Sequence, residues 1–293
     1  MLFRSEDIYQ VTYGAGRFVG VGYGGNYTSV DGVTWTSFDA PSRLYGVAYG
    51  NGVFVASNGF TTYTSTDGLT WTLGGSVSDT TARAYLGPIS FSGGRFYAYG
   101  EKGVDSSTDG VHWAQVYTPS IPDINALLTG VASNGTDTVI TGWGGVLFHG
   151  VSDSNWVDAG LGSNATINAL DCMGATCVAW LTDGQLLRSA DAGATWTVSN
   201  PSGGKPMYTI THGNGLFVAA GVGVVYTSPD GVTWTSVVLG STSTFYASSY
   251  GAGKFVIAGS AYALFTSVDG VTWTAAGTGI PARQRSEEHT SEL

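Results

Sequence analysis

The chain has 293 residues, of which only 11% are charged, and its formal net charge is −10. Lys and Arg total 11 and form no cluster. The basic stripe that a nucleic acid or an anionic membrane would need is therefore missing. The longest apolar stretch, Leu216 to Tyr226, is too short for a membrane-spanning helix and is broken by glycines, so no membrane insertion is expected.

A single unit recurs along the chain. Its first copy closes on Ser29, Asp31, Gly32, Thr34 and Trp35, and the second on Ser65, Asp67, Gly68, Thr70 and Trp71. The third has Ser107, Asp109, Gly110, His112 and Trp113. The fourth, Gly150 to Trp156, is degenerate and aligns Ser152 with the Asp. The fifth is one residue longer, with Ser189, Asp191, Gly193 and Trp196. The last two place Asp230 before Trp234 and Asp269 before Trp273. Successive Trp residues are 36, 42, 43, 40, 38 and 39 apart. Four-stranded propeller blades repeat at about 40–50 residues. The spacing predicts an all-β chain, a seven-bladed β-propeller of four-stranded antiparallel blades.

The second repeat shows the expected strands. Residues 43–49 read as the inner strand, 53–56 as the second, 61–65 as the third and 69–72 as the outermost. Glycines and Asp67-Gly68 supply the turns. The 45 glycines are thus turn residues and not low complexity. We assign one domain to residues 1–284. Residues 285–293 read as a translated sequencing adapter and are set aside. Each motif Trp is expected on an outermost strand and largely buried. Repeat one supplies its own inner strand and repeat seven its own outer strand, so ring closure should rest on side-chain packing. The fourth motif hairpin should be the most irregular.

Within the motif, an Asp carboxylate can accept hydrogen bonds from amides two residues on, and Gly supplies the positive φ. Asp31, Asp67, Asp109, Asp191, Asp230 and Asp269 are thus expected to be structural. The motif resembles the Asp-box, and the chain resembles Asp-box propellers over about residues 8–276. That group includes sialidases, sortilin-type receptors and photosystem II assembly factors. The resemblance implies that the motif lies on the third-to-fourth strand hairpin, on the face away from any ligand.

Catalytic sets are hard to find. The Arg-Ile-Pro signature of sialidases is absent, and Arg17 and Arg95 fall in first hairpins on the motif face. A glycosidase needs two carboxylates about 5–9.5 Å apart. Carboxylates expected on the opposite face are Asp7, Asp39, Asp79, Glu101, Asp123, Asp158 and Asp183, and Glu101 with Asp123 is the best pair. The plainer reading is two solvated loop carboxylates. No metal-ligand spacing, phosphate loop or nucleophile elbow occurs, so no metal or cofactor is expected.

Aromatic residues outside the repeat are more telling. Tyr23, Phe60 and Trp143 fall in second-to-third strand loops and Tyr117 in a fourth-to-first loop, all assigned to the face opposite the motif. They suit sugar rings or protein surfaces; alternatively they plug the channel. The first hairpin of most repeats carries an aromatic pair, such as Tyr13 with Phe18 or Tyr49 with Phe54. The fifth carries Cys172 and Cys177 instead. Both members change together, as a disulfide requires; the alternative is two small buried hydrophobes.

Three functions compete. The first is a monomeric recognition scaffold, extracellular or at the cell surface, binding a protein or glycan. The second is a glycoside hydrolase or lyase using Glu101 and Asp123. The third is an assembly factor like that of photosystem II, against which the missing basic patch counts.

Overall fold

The computed structural model describes residues 7–76, 87–101, 103–118, 127–160 and 164–277. Asp79, Lys102, Asp123 and the adapter-like tail lie outside the described residues. Seven four-stranded antiparallel sheets follow one another, each with its strands in chain order. Blades 1 to 7 occupy residues 8–37, 46–76, 89–117, 128–158, 167–199, 207–238 and 245–275. The protein is a seven-bladed β-propeller. The described residues contain no α-helix, only 3-10 turns at Trp143–Gly145 and Ser260–Tyr262. No helix among them is long and apolar enough to cross a membrane.

The motif builds one turn per blade. In blade 1 the Ser29 hydroxyl donates to Asp31 Oδ1 (2.9 Å) and accepts from the Gly32 amide (2.8 Å). Asp31 Oδ1 also accepts from the amides of Val33 (2.8 Å) and Thr34 (2.7 Å). Gly32 takes φ 74°, and the Trp35 indole donates to the Gly32 carbonyl (3.1 Å). Asp67, Asp109, Asp191, Asp230 and Asp269 hold equivalent turns. These bonds keep Leu69 and Thr70 out of the ladder, so the outer strand of blade 2 runs Thr72–Ser76 and not 69–72. Six motif Trp residues accordingly stand at the threshold of their outer strand; only Trp156 lies within one.

Burial of these Trp residues is uneven. Trp35 is fully buried and Trp71 nearly so, while the other five are half-buried. The two buried indoles have extra chain against them. Phe38 stacks on Trp71 with ring centroids 6.2 Å apart, and Ala276 packs against the cluster holding Trp35.

Neighbouring blades interlock near the motif end of their inner strands. Tyr13, Tyr49, Phe91 and Tyr250 each pack on a Phe of the adjoining strand, with centroids 4.6–4.8 Å apart. Each also lies over a glycine of the preceding blade: Tyr49 over Gly14, Phe91 over Gly50, Tyr250 over Gly213 and Tyr13 over Gly251. A Cβ at any of these four glycines would collide with the ring. The last of these contacts crosses the seam between blades 7 and 1. Lys254 Nζ also crosses it, donating to the Asp31 carbonyl (3.0 Å). No strand is exchanged, and the ring closes by packing. Where Ser92 replaces the glycine, blade 4 presents Ser133 in place of an aromatic. Ser92 Oγ then accepts from the Ser133 amide (2.9 Å).

Gly14→Ala should destabilise the protein by about 1–3 kcal/mol through overpacking. Gly20→Ala meets only ordinary contacts, the nearest at 3.5 Å. It should be neutral, or stabilising by up to about 1 kcal/mol through lost unfolded-state entropy. Denaturant unfolding of both variants checks this, and equal losses would refute the interlock.

Backbone amides hold the carboxyls of Asp31 and Asp67 down at about 2. The Thr195 hydroxyl and amide do the same for Asp191, also at about 2. A carboxyl depressed in the folded state adds stability above its unfolded pKa, about 3.9. That contribution is lost as pH falls through the folded value. The urea midpoint should therefore fall between about pH 4 and pH 2, and Asp67→Asn should flatten part of the fall. A midpoint as pH-dependent in the variant as in the parent would count against it.

Candidate functional site

On the face opposite the motif turns, five inner strands share one irregularity. Their register shifts between the first and third residues, at Ile8/Gln10, Leu128/Gly130, Ile167/Ala169, Met207/Thr209 and Phe245/Ala247. The residue between is a bulge, and a bulge re-aims its side chain. The bulged residues are Tyr9, Thr129, Asn168, Tyr208 and Tyr246. In blade 2 the equivalent is Tyr45, whose amide donates to the Ser57 carbonyl (2.8 Å) just before the strand begins.

Tyr208, Tyr246, Tyr9 and Tyr45 belong to blades 6, 7, 1 and 2, which are consecutive around the ring. The rings of Tyr9 and Tyr45 stack with centroids 6.4 Å apart. Those of Tyr208 and Tyr246 meet edge-on at 6.1 Å. All four are half-buried and form an arc at the mouth of the channel. Burial, reinforced by Asp7, pushes the Tyr9 phenol up to about 12, so it stays a hydrogen-bond donor. Blades 4 and 5 carry Thr129 and Asn168 here, which bond to carbonyls of the next blade.

Gln10 stiffens the mouth beneath this arc. Its Nε2 donates to the Ile89 carbonyl of blade 3 (2.7 Å), and its Oε1 accepts from the Val47 amide of blade 2 (3.0 Å). Gly46 makes room, because a Cβ there would meet Gly87 O, Ile89 N and Gln10 Oε1.

The second-to-third strand corners form an outer rim. Tyr23 is 43% exposed, Phe60 51% and Trp143 45%. The Arg43 guanidinium lies 4.0 Å above the Tyr23 ring. Beside it opens a cleft of about 430 Å³ lined by Tyr23, Tyr27, Phe38, Asp39, Ser42 and Arg43. Trp143 sits on a turn pinned by its amide to the Leu127 carbonyl (3.0 Å). Glu101 and Asp183 occupy the corners of blades 3 and 5 and are exposed. Asp7 is buried and so is not a surface carboxylate.

Tyr117 departs from the sequence expectation. It is 8% exposed, with its ring against Trp156 (5.4 Å) and Phe148 (5.3 Å). The cause is the degenerate fourth motif. Without a motif carbonyl to bond, the Trp156 indole donates to Val116 O (3.0 Å), and Tyr117 is buried beside it. That hairpin is also a tight two-residue turn, with Ser152 and Asp153 both at positive φ and Val151 paired to Ser154. Its carboxylate is Asp153, which turns inward to accept from Tyr97 (3.1 Å) and Thr138 (2.9 Å).

Arg95 stands on the motif face and donates to Ser106 Oγ (2.7 Å). Cys172 and Cys177 are directly paired across the first hairpin of blade 5 and are joined as a disulfide. The neighbouring Asp171 meets His212 of blade 6, Oδ2 to Nδ1, at 2.8 Å. Among the described residues no cluster of three metal-ligating side chains occurs.

The tyrosine arc was not foreseen. Its signal was an apolar–Tyr pair opening four inner strands: Ile8-Tyr9, Leu44-Tyr45, Met207-Tyr208 and Phe245-Tyr246. Strict alternation would turn those tyrosines into the blade; the bulge turns them to the mouth.

No protein-family model matches the chain, and no curated protein matches it in sequence. Solved structures share its fold. One is YCF48 bound to D1 peptide, at 14% identity and TM-score 0.67, covering 87% of this chain and 91% of that one. The computationally designed protein Ika8 matches at 11% identity and TM-score 0.64, over 90% of this chain and 84% of its own. PorZ, a surface component of the type-IX secretion system of Porphyromonas gingivalis, matches at 14% identity and TM-score 0.61. That match covers 94% of this chain and 39% of PorZ. At these identities the likeness is one of fold.

The bond to Asp171 raises the pKa of His212, outweighing burial. The pair therefore adds stability that is full below the unfolded His value, about 6.5, and is lost as pH rises through the folded value. The melting-temperature gap between the parent and His212→Gln should shrink from pH 5 to pH 8.5. A gap constant across that range would refute it.

Proposed function

We propose that the protein is a non-catalytic recognition scaffold that binds a protein segment or a glycan on the face opposite the motif turns. The observation that carries this reading is the arc of four tyrosines at the channel mouth. Rigid, half-buried aromatics bring large contact area at low entropy cost, and their hydroxyls fix orientation. The exposed Tyr23, Phe60 and Trp143 extend that surface to the rim. Tyr117 no longer belongs to it. The six motif carboxylates spend their hydrogen bonds on their own turns, which supports a structural role for them.

The neighbour YCF48 is bound to D1 peptide, which supports a protein ligand, and PorZ is a bacterial surface component, which supports a place at the cell surface. The disulfide points to an oxidising compartment, in line with an extracellular location. We take the scaffold to act as a monomer. The competing reading, glycoside cleavage by Glu101 with Asp123, has only an exposed Glu101 among the described residues to support it.

Peptide and glycan arrays probed with the purified protein should return ligands of one class. Tyr246→Ala and Tyr9→Ala should each weaken binding by about tenfold or more, as for a buried aromatic anchor. Leu69→Ser, on the motif face, should leave the affinity unchanged. Binding that survives both tyrosine variants would remove the site. Release of reducing sugar, abolished in Glu101→Gln, would replace the reading with the catalytic one.

A further inference from the structure

The mouth of the channel is chemically divided. The arc from blade 6 through blade 2 is aromatic, with Tyr208, Tyr246, Tyr9 and Tyr45 below and Tyr23 above. The corners of blades 3, 4 and 5 carry Glu101, Trp143 and Asp183, an exposed indole between two exposed carboxylates. Among the described residues, the cation stacked on the aromatic half is Arg43, over Tyr23. We propose that the ligand of this face is a proline-rich protein segment with a basic end, its prolines laid on the tyrosine arc and its cation held at Trp143, which Glu101 and Asp183 flank on the two adjacent blades. This inference rests on the recognition reading above and adds the partner's chemistry.

Each part of the site selects for one part of that ligand. A polyproline II strand has no internal hydrogen bonds, and its carbonyls point outward. The faces of the tyrosine rings match prolyl rings. Such a strand is already extended, so little order is lost on docking. A Lys or Arg on the face of Trp143 gains a cation–π contact, and the corners of the two adjacent blades each carry a carboxylate. The net charge of −10, or −8 without the one Arg and three Glu of the adapter-like tail, draws a basic segment in from solution. Arg43 repels a second cation near Tyr23 and favours a carboxylate there, so only one end of the segment carries positive charge. A neutral glycan uses the rings but gains nothing from Glu101, Asp183 or Arg43. Charge complementarity therefore favours the peptide.

The test is fluorescence anisotropy with labelled peptides of eight prolines carrying two lysines at the N-terminus. Exchanging the lysines for glutamates should weaken binding at least tenfold, and exchanging the prolines for alanines should do the same. The double variant Glu101→Gln, Asp183→Asn should bind the lysine and glutamate peptides within about threefold of each other, and its melting temperature should match the parent's. Trp143→Ala should reduce affinity for the lysine peptide alone. The inference is overturned if the parent binds neither peptide at 1 mM, or binds both alike. In that event an array ligand whose binding is lost in Tyr246→Ala would still sustain the recognition reading, whereas a ligand indifferent to Tyr246 would remove both.

Discussion

The packing of an aromatic ring from one blade onto a bare glycine of its neighbour sets the geometry at four of the seven blade interfaces. Tyr49 on Gly14, Phe91 on Gly50, Tyr250 on Gly213 and Tyr13 on Gly251 are one contact repeated. Each brings two inner strands closer than any residue with a Cβ would permit. Each ring is also wedged against a Phe of its own blade, so the contact fixes orientation as well as distance. Because the seam uses the same contact, blade 1 meets blade 7 much as it meets blade 2. The motif turns on the same face stiffen each blade at its outer edge, and their carboxylates are committed to backbone amides.

With the motif end of the ring fixed in this way, the other end is free to vary. Bulges in five of the inner strands each release one side chain from the pleat. Four consecutive blades fill that position with tyrosine, and the next blades with smaller polar residues or none. The division between an aromatic and an acidic half follows from independent choices at two sets of positions, the starts of the inner strands and the second-to-third strand corners. A propeller offers such choices cheaply, since no corner residue is needed for the core.

The architecture was legible because the motif carries its own mechanism. A carboxylate, a positive-φ glycine and an indole at fixed offsets specify a turn wherever they occur, and six such turns with a seventh, degenerate copy at blade spacing specify a propeller. The exposed rim aromatics Tyr23, Phe60 and Trp143 were legible too, since they interrupt glycine-rich corners. The arc was not, because a bulge changes side-chain direction without changing composition. Tyr117 was misplaced for a related reason. Its burial depends on where the Trp156 indole finds an acceptor, and that depends on the loss of a motif turn in the next blade. Local pattern reports local turns; it does not report which neighbour a displaced ring will cover.

Gln10 carries a consequence for how the mouth responds to an occupant. One side-chain amide ties blade 1 to blades 2 and 3, passing over Gly46. Three adjacent blades are thereby latched into a single wall, and Tyr9 and Tyr45 are mounted on it. Tyr208 and Tyr246 stand on blades 6 and 7, outside that latch. Those two blades are tied to each other instead, through the Thr209 and Ser248 hydroxyls at 2.7 Å. A segment lying along the arc would then meet a mouth braced on both sides, with little conformational entropy left to surrender on binding.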